Sequence, residues 1–435
     1  MKKFDYAIHA GQLLQCTESE TRCLENVLVG IEGDKITFIG EQSSISWEAE
    51  NTIDAREKIV LPGLINAHSH LPMNLLRGLS DDLPLERWLH ECILPTEARL
   101  VNEEFCRLGT QLALMESLRL GSTCVYDMYY FNDVIADEVD RAGFRGIIGE
   151  TYLSFPAPDT RDNPGNDRKI VARLAEKYSH HPRVRPMIAP HSPYACTDEK
   201  LKEAIEDAKN FNLPIGIHVC ETKTEVKGSF DNFSKSPVQR LYDIGLMDLE
   251  CIFAHGVHIS EEEMELVAQK DVSVIYNAES NMKLGSGIAP VRRFLDKGIT
   301  VGLGTDGCAS NNDLNMYKEM DVATKLQKVG LEDNVAMTAK DTFRLATHSG
   351  ARALGMPQTG SLEVGKQADL VIFNPDQEWL IPYHDPFSAI VYSSTGTEVE
   401  YSFIDGQLLY EKGDYKKLDV EKLKAELKAY MKKSF

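Results

Sequence analysis

Two histidines stand two positions apart, His68 and His70, just after the apolar run "KIVLPGLI". Alternate residues of a β-strand point to the same side, so both imidazoles would project together from a strand in this place. Such a pair could bind a metal ion, or it could be two buried histidines that share a face. The choice depends on whether the rest of the chain supplies further ligands at equivalent places.

Polar residues that can bind a metal ion also follow several other apolar runs. They are His191 after "VRPMIAP", His218 in "LPIGIHVCE", His255 in "CIFAHGVHI" and Asp306 in "GITVGLGTDG". Taken alone, His191 could equally be a capping residue, and Asp306 fits an Asx-turn. Their recurrence at the same end of each run predicts a metal site, with ligands drawn from His68, His70, His218, His255 and Asp306.

The elements that must position these residues repeat between about residue 59 and residue 310. Eight short apolar runs alternate with amphipathic stretches such as "NEEFCRLGTQLALMESLRLG", whose apolar residues recur at helical spacing. This alternation indicates a parallel sheet covered on both faces, and eight strands favour a closed (β/α)8 TIM barrel of the α/β class. The carboxyl ends of such strands meet at one mouth, where the ligands would converge. An open doubly wound sheet is the competing interpretation, but no G-x-G-x-x-G follows a first strand.

The two ends of the chain have a different character from its middle. They contain strand-like pieces such as "CLENVLVGIEGDKITFIG" and "VEYSFIDGQLLYEKG", joined by turn residues. We therefore predict a small β-sandwich domain assembled from residues 1–58 and 356–435, the latter ending in a helix. The barrel, residues 59–355, would be inserted between these two parts.

Composition and charge narrow the class of partner. The 435-residue chain has 43% hydrophobic and 26% charged residues, which is typical of a soluble globular protein. Its net charge of −20 repels phosphate backbones, so we expect a small-molecule partner and no nucleic acid. No stretch approaches the roughly 18 apolar residues of a membrane span. The number of subunits stays open, and a homo-oligomer is compatible with the sequence.

The start of the chain and its cysteines predict a cytoplasmic location. The segment "MKKFDYAIHAGQLLQ" has two lysines but no uninterrupted apolar core behind them, so we expect no secretory signal. Nine cysteines without C-x-x-C spacing do not form the pattern of a disulfide framework or a zinc ribbon. Reduced thiols in the cytoplasm are the expectation.

The ligand types indicate which metal the site would hold. Imidazoles with one carboxylate suit Zn²⁺ or Fe²⁺, whereas Ca²⁺ and Mg²⁺ prefer oxygen ligands. A two-metal site needs a bridging ligand, usually a carbamylated lysine at the end of the fourth strand. That strand reads "PMIAPHSPY" and has no lysine. We therefore predict one divalent ion, zinc by default, with iron left open.

Several motifs together resemble the amidohydrolase superfamily over most of the chain. They are "NAHSHLPMNLLRGLSDDLPLERWL", "APHSPYACT", "IHVCETKTEV", "AHGVHIS", "NAESNMKLGSGIAPV", "GLGTDGCASNNDLNM" and "GSLEVGKQADLVIFN". Within that superfamily the set is similar to the 5′-methylthioadenosine/S-adenosylhomocysteine deaminases. Triazine chlorohydrolases and guanine deaminases carry similar motifs, so an aminohydrolase or chlorohydrolase of another heterocycle (guanine, an oxidised purine, a pterin or a triazine) is the alternative.

The resemblance implies a hydrolytic deamination that converts an adenosine-type nucleoside to the inosine analogue and ammonia. The implied metal ligands are His68, His70, His218 and Asp306, with one position left for water. His255 would orient or deprotonate that water, and Asp306 would share the proton. Glu221 would pass a proton to the ring nitrogen beside the attacked carbon. From the residues alone, Glu221 could also form a surface salt bridge with Lys223 or Lys227.

The resemblance also implies substrate contacts. Glu97 matches a glutamate that accepts hydrogen bonds from ribose hydroxyls, although by itself it could be an acidic residue early in a helix. His191 would contact the purine or the metal-bound oxygen, and Trp88 could form an apolar wall or simply pack in the core. Homocysteine-bearing substrates need a cation, but Glu150 stands where an arginine is expected. Arg161 or Arg168 could replace it, and smaller substrates such as 5′-methylthioadenosine, 5′-deoxyadenosine or adenosine would fit better.

Overall fold

The computed structural model describes residues 2–83 and 85–434. Within these residues the strands form two eight-stranded sheets. The strands of the terminal sheet are β1 (Lys2–Cys16), β2 (Thr21–Glu32), β3 (Lys35–Gly40), β4 (Trp47–Pro62), β13 (Leu370–Phe373), β14 (Val399–Ile404), β15 (Gln407–Glu411) and β16 (Asp414–Tyr415). The strands of the central sheet are β5 (Leu64–Ser69), β6 (Ser122–Tyr129), β7 (Arg145–Tyr152), β8 (Val184–Pro190), β9 (Ile215–Val219), β10 (Cys251–His255), β11 (Val272–Tyr276) and β12 (Val301–Leu303).

The central sheet is the predicted barrel. Strands β5 to β12 pair in sequence order, and each pair is parallel. Where β12 returns to β5, the amide of Asp306 donates to the carbonyl of His68 at 3.0 Å. The side chain of Asn66 also bridges to Thr305, with bonds of 2.8 and 3.0 Å. A Cβ on Gly304 would lie 2.6 Å from the His68 nitrogen, so only glycine permits this approach.

Helices surround the barrel. The α-helices are α1 (Leu85–Arg87), α2 (Leu94–Leu100), α3 (Glu103–Arg119), α4 (Asn132–Arg141), α5 (Asn166–Tyr178), α6 (Asp198–Phe211), α7 (Lys223–Phe233), α8 (Pro237–Asp243), α9 (Glu261–Ala268), α10 (Ala278–Lys283), α11 (Val291–Asp296), α12 (Met316–Leu331), α13 (Ala339–Arg344), α14 (Gly350–Ala353), α15 (Pro386–Ser388) and α16 (Val420–Ser434). Short 3₁₀ segments are Gln42–Ser44, Leu71–Leu76 and Leu246–Asp248, and π-helical turns are Trp88–Ile93, Leu345–Ser349 and Ala389–Ser393. Side chains at the N-caps explain several helix starts: Thr222 accepts from the amide of Glu225, and Ser260 forms a capping box with Glu263.

The terminal sheet joins both ends of the chain, as predicted. Its order is β16-β15-β14-β13-β4-β1-β2-β3, so β4 lies between a strand from each end. Strand β4 pairs parallel with β1 and antiparallel with β13. Residue 58 lies within β4, and the division of the chain at 58/59 and 355/356 stays a prediction. The expected terminal helix is α16, which contacts α3 through the ion pair of Arg107 with Glu426 at 2.8 Å.

A buried ion pair ties the barrel to the terminal sheet. Arg145, at the start of β7, lies 2.7 Å from Asp369 and 3.1 Å from Asp405. Arg145 and Asp369 are almost fully buried, and Asp405 is also buried. Charges removed from water need such partners, so this contact fixes the sheet against the amino-terminal end of the barrel strand.

The helices of the described residues include none long and apolar enough to cross a membrane.

Candidate active site

Four of the predicted ligands converge at the carboxyl ends of the barrel strands. His68 lies in β5 and His218 in β9, while His70 and Asp306 follow β5 and β12. The Nε2 atom of His68 is 3.2 Å from that of His218. Asp306 Oδ1 is 3.4 Å from His68 Nε2 and 3.0 Å from His70 Nε2. Ligand atoms on one tetrahedral zinc ion, bound at about 2.0–2.1 Å, are about 3.3 Å apart, so the spacing fits.

Backbone carbonyls determine which nitrogen of His70 and His218 faces the centre. His70 Nδ1 contacts the carbonyl of Met128, and His218 Nδ1 contacts the carbonyl of His191 at 2.7 Å. A carbonyl only accepts, so each Nδ1 carries a proton, and Nε2 is the nitrogen of each ring that faces the centre. Burial lowers the pKa of His68 to about 4, which keeps that ring neutral, whereas the Asp306 carboxylate raises the pKa of His70 to about 9 against the effect of burial. This donor set suits a divalent cation.

Asp306 supplies the negative charge of the centre. Its backbone has a left-handed φ of 62°, and its Oδ2 accepts hydrogen bonds from Ser280 at 2.7 Å and Ser310 at 2.9 Å. Oδ1 is thereby aimed at the histidines. Burial opposes ionisation, but the hydrogen bonds of His68 and His70 hold the pKa of Asp306 well below its ordinary value. The carboxylate therefore favours positive charge at the centre.

His255 and Glu221 lie side by side next to this centre. His255 Nε2 is 3.9 Å from Glu221 Oε2, and both residues are buried. His255 Nδ1 lies 2.8 Å from Asn281 Oδ1, while Glu221 Oε1 accepts from Ser286 at 3.3 Å. Burial raises the pKa of Glu221 above its ordinary value. Glu221 is therefore not a surface residue paired with a lysine, and burial favours the protonated form of its carboxyl group.

A cavity of about 80 Å³ opens onto the centre. Its walls include Glu97, Trp88, Met128 and His191, together with Glu221 and His255. Glu97 Oε1 accepts a hydrogen bond from Tyr129 at 2.7 Å. Burial raises the pKa of Glu97 to about 7, although the Tyr129 hydroxyl lowers it. Glu97 thus supplies a second buried carboxyl group to the lining of this cavity.

The structure does not bring Glu150 to this cavity. Side chains alternate along β7, so Thr151 faces the cavity and Glu150 points outward, beneath the helices. There its carboxyl accepts from the amide of Asn132 at 3.0 Å. Burial, with the nearby Asp159 carboxyl, raises the pKa of Glu150 well above its ordinary value. The structure therefore places the Glu150 carboxyl group outside the lining of this cavity.

The two candidate arginines have different partners, and neither lines the catalytic cavity. Arg168, in α5, binds Asp207 through Nε at 2.7 Å and does not line the cavity. Arg161 is about half exposed and donates to the carbonyl of Ala98 at 2.9 Å. It lines a neighbouring cavity of about 220 Å³, which shares Glu97 with the first.

Sequence reasoning did not single out several residues that orient the site: Asn281, Ser280, Ser310 and Tyr129. Ser280 and Asn281 lie in "NAESNMK", just after β11. The position of that polar cluster at a strand end was the available signal. For Ser310 the sequence offered only its closeness to Asp306 along the chain, and for Tyr129 only its position at the end of β6.

A (β/α)8 barrel with three histidines and an aspartate at its mouth defines a class of metal-binding barrel enzymes. The model of the amidohydrolase family matches residues 59–409, and the chain belongs to that family. The resemblance seen in the sequence is confirmed.

Relatives of the chain agree with that assignment. It is 41% identical over 408 residues to a 5-methylthioadenosine/S-adenosylhomocysteine deaminase of Thermoanaerobacter pseudethanolicus, covering 93% of this chain and 94% of that one. It is 41% identical to a 5′-deoxyadenosine deaminase of Methanothermobacter thermautotrophicus over 397 residues, or 89% and 90% of the two chains. An adenosine deaminase from Xanthomonas campestris with bound zinc has a TM-score of 0.96 and 34% identity, covering 100% of this chain and 99% of that one.

Proposed function

We propose that this chain is a metal-dependent deaminase that hydrolyses adenosine-type nucleosides to inosine analogues and ammonia. The candidate substrates are 5′-methylthioadenosine, S-adenosylhomocysteine, 5′-deoxyadenosine and adenosine. The observation that carries the proposal is the placement of Glu221 and His255, 3.9 Å apart, beside the three histidines and Asp306. An acid, a base and a cation site thus share one cavity.

His68, His70, His218 and Asp306 would hold one divalent ion, with zinc proposed and iron as the alternative. When bound, such an ion lowers the pKa of water to about 7 and supplies a nucleophile at neutral pH. The zinc in the Xanthomonas campestris adenosine deaminase supports this choice.

His255 is proposed to take the proton of the attacking water. The amide of Asn281 can present its oxygen to His255 Nδ1, which then carries the proton and leaves Nε2 as the acceptor. Asp306 shares that proton and returns it to the leaving amine. Because Oδ2 of Asp306 is already held by two serines, Oδ1 is the atom that takes part.

Glu221 is proposed to protonate the ring nitrogen beside the attacked carbon. An aromatic amidine is a poor electrophile until positive charge develops on its ring. The raised pKa of Glu221, caused by burial, supports a role as a proton donor. Ser286 orients the other carboxyl oxygen.

The part of the cavity lined by Glu97 is proposed to bind the sugar. Glu97 would accept hydrogen bonds from the ribose hydroxyls, and Tyr129 holds one of its two oxygens in place. His191 and Trp88 would contact the purine. Burial lowers the pKa of His191 to about 3, so its ring stays neutral against an uncharged base.

Arg161 is the proposed contact for a charged 5′ substituent, because it lines the cavity that continues from Glu97. Arg168 is engaged by Asp207 and is not proposed. The other walls of that cavity are largely apolar, including Leu153, Phe155 and Pro158. This lining favours small apolar 5′ groups over homocysteine.

A cytoplasmic location is also proposed. All nine cysteines, each within the described residues, are free thiols, which fits a reducing compartment.

A substrate panel on zinc-loaded protein tests the function. We expect ammonia release and an absorbance shift to the inosine product from the nucleosides above, and much weaker activity on guanine, pterins, triazines and free adenine. In Glu221→Gln we expect turnover to fall by about 10²–10⁴-fold with the metal retained. No ammonia from any purine nucleoside by a metal-replete protein would refute the proposal, and faster turnover of free heterocycles would favour the alternative substrates.

A further inference from the structure

A second, larger cavity adjoins the catalytic one, and we call it the outer cavity. It has a volume of about 450 Å³ and lies between α7, the segment 193–197 and the segment 85–90. It shares Leu85, Leu89, Tyr194 and Glu221 with the catalytic cavity. Glu221 therefore stands at the boundary of the two. Its size is within the roughly 300–1,000 Å³ of small-molecule sites.

The two neighbouring cavities share different residues with the catalytic one, and Phe155 lines both of them. The cavity with Arg161 shares Glu97, the proposed ribose contact, whereas the outer cavity shares Glu221. If Glu221 faces the ring nitrogen beside the attacked carbon, the exocyclic amine on that carbon lies next to Glu221. The outer cavity, which shares Glu221, then adjoins the amine end of the nucleoside.

We propose that the outer cavity receives a substituent on the exocyclic nitrogen, so that the chain also hydrolyses N6-substituted adenine nucleosides. This inference rests on the proposed function. The oxygen of water bonds to C6, the bond from C6 to the exocyclic nitrogen breaks, and the amine leaves with a proton as RNH₂. The other product is the same inosine analogue that the unsubstituted nucleoside gives.

The lining of the outer cavity suits an alkyl or aryl group. Leu85, Leu89 and the half-exposed rings of Tyr194 and Phe233 provide apolar surface. The hydroxyl of Ser229 is buried at this cavity without a hydrogen-bond partner. Burial of an apolar substituent contributes binding free energy at about 25 cal/mol per Å² of apolar surface.

Gly228 offers a way to fill the cavity without disturbing the fold. It lies in α7 and lines the outer cavity, and a Cβ built on it meets no atom within 4 Å. Replacing a helical glycine also removes a cost of about 1 kcal/mol in helix propensity. Gly228→Leu should therefore fold and occupy the space of the substituent, while Gly228→Ala is the matched control that leaves the space open.

The test compares N6-methyladenosine and N6-benzyladenosine with adenosine on zinc-loaded wild type, Gly228→Ala and Gly228→Leu. We expect mass spectrometry to detect methylamine and benzylamine together with inosine. In Gly228→Leu, kcat/KM for N6-benzyladenosine should fall by about tenfold or more, with adenosine unchanged.

Two results would overturn the inference alone: normal deamination of adenosine without amine release from either N6-substituted nucleoside, or amine release that Gly228→Leu does not reduce. Failure on adenosine and the other unsubstituted nucleosides would instead refute the proposed function, and the inference with it.

Discussion

The carboxylate of Glu225 holds the backbone of Glu221 in place, four residues earlier in the chain. Its Oε2 accepts from the amide of Glu221 at 2.8 Å, and its Oε1 accepts from the amide of Cys220 at 2.9 Å. Cys220 has a left-handed φ of 53°, a conformation that costs free energy in a residue with a side chain. The two hydrogen bonds stabilise this turn after β9, and the turn aims Glu221 into the catalytic cavity.

Replacing Glu225 by glutamine should therefore impair catalysis through the position of Glu221, with no change in a direct substrate contact. The glutamine side chain keeps one oxygen as an acceptor, but its NH₂ group faces the second backbone N–H. The turn after β9 therefore loses one hydrogen bond, and we expect Glu221 to shift. We expect kcat to fall by about 10- to 100-fold with KM little changed, because small misplacements of reacting groups have such effects. Steady-state kinetics on the preferred nucleoside measures both constants.

Glu263→Gln is the matched control, since Glu263 also accepts from a backbone amide, that of Ser260, at 2.7 Å, but caps α9 outside the site. Wild-type kcat in Glu225→Gln, or an equal loss in the control, would contradict the positioning role.

The pH dependence of substrate capture should report Glu97. Burial raises its pKa to about 7, so the carboxylate is fully available to accept hydrogen bonds only above that pH. We expect kcat/KM to decline as the pH falls through about 7 and this acidic limb to be lost in Glu97→Gln. A 2′,3′-dideoxy nucleoside, which has no ribose diol, should also lack it. Identical profiles for the ribose and dideoxy substrates would exclude Glu97 as the diol contact.

The contact of Arg145 with Asp369 and Asp405 should be essential for stability. In Arg145→Met, Asp369 loses its buried cation and Asp405 keeps only Arg183 at 3.5 Å, so we expect the free energy of unfolding to fall by about 3–5 kcal/mol. The urea midpoint of unfolding measures this loss. Arg56→Met is the control, because Arg56 pairs with Asp54 at 3.0 Å on the exposed surface and should change stability by less than about 1 kcal/mol. Similar midpoints for the two variants would show that the buried pair is not a major support.

The convergence of the histidines and Asp306 at one place could be predicted from sequence because of two simple regularities. Strand alternation places His68 and His70 on one side, and a closed parallel barrel collects strand ends at one mouth. The same alternation explains why Glu150 lies elsewhere, since the neighbouring Thr151 takes the inward position. A resemblance that matches positions along a loop does not specify which of two adjacent side chains faces in.

The residues that orient the site were harder to predict. Glu225 and Asn281 act through single hydrogen bonds to atoms of other residues, so their roles depend on the final conformation of two turns. Arg168 was an equally reasonable partner for a carboxylate until its bond to Asp207 was visible. Hydrophobic periodicity specifies elements and faces, and it carries no information on such pairings.

Metal content measured together with turnover tests the central claim most directly. Elemental analysis of gently purified wild type should find one divalent ion per chain, zinc or iron, in protein that releases ammonia from adenosine-type nucleosides. Asp306→Ala should lose both the ion and the activity and keep the circular dichroism of the folded barrel. Wild-type protein that deaminates nucleosides after complete removal of divalent cations, or an Asp306→Ala variant that retains the ion and full turnover, would contradict the account.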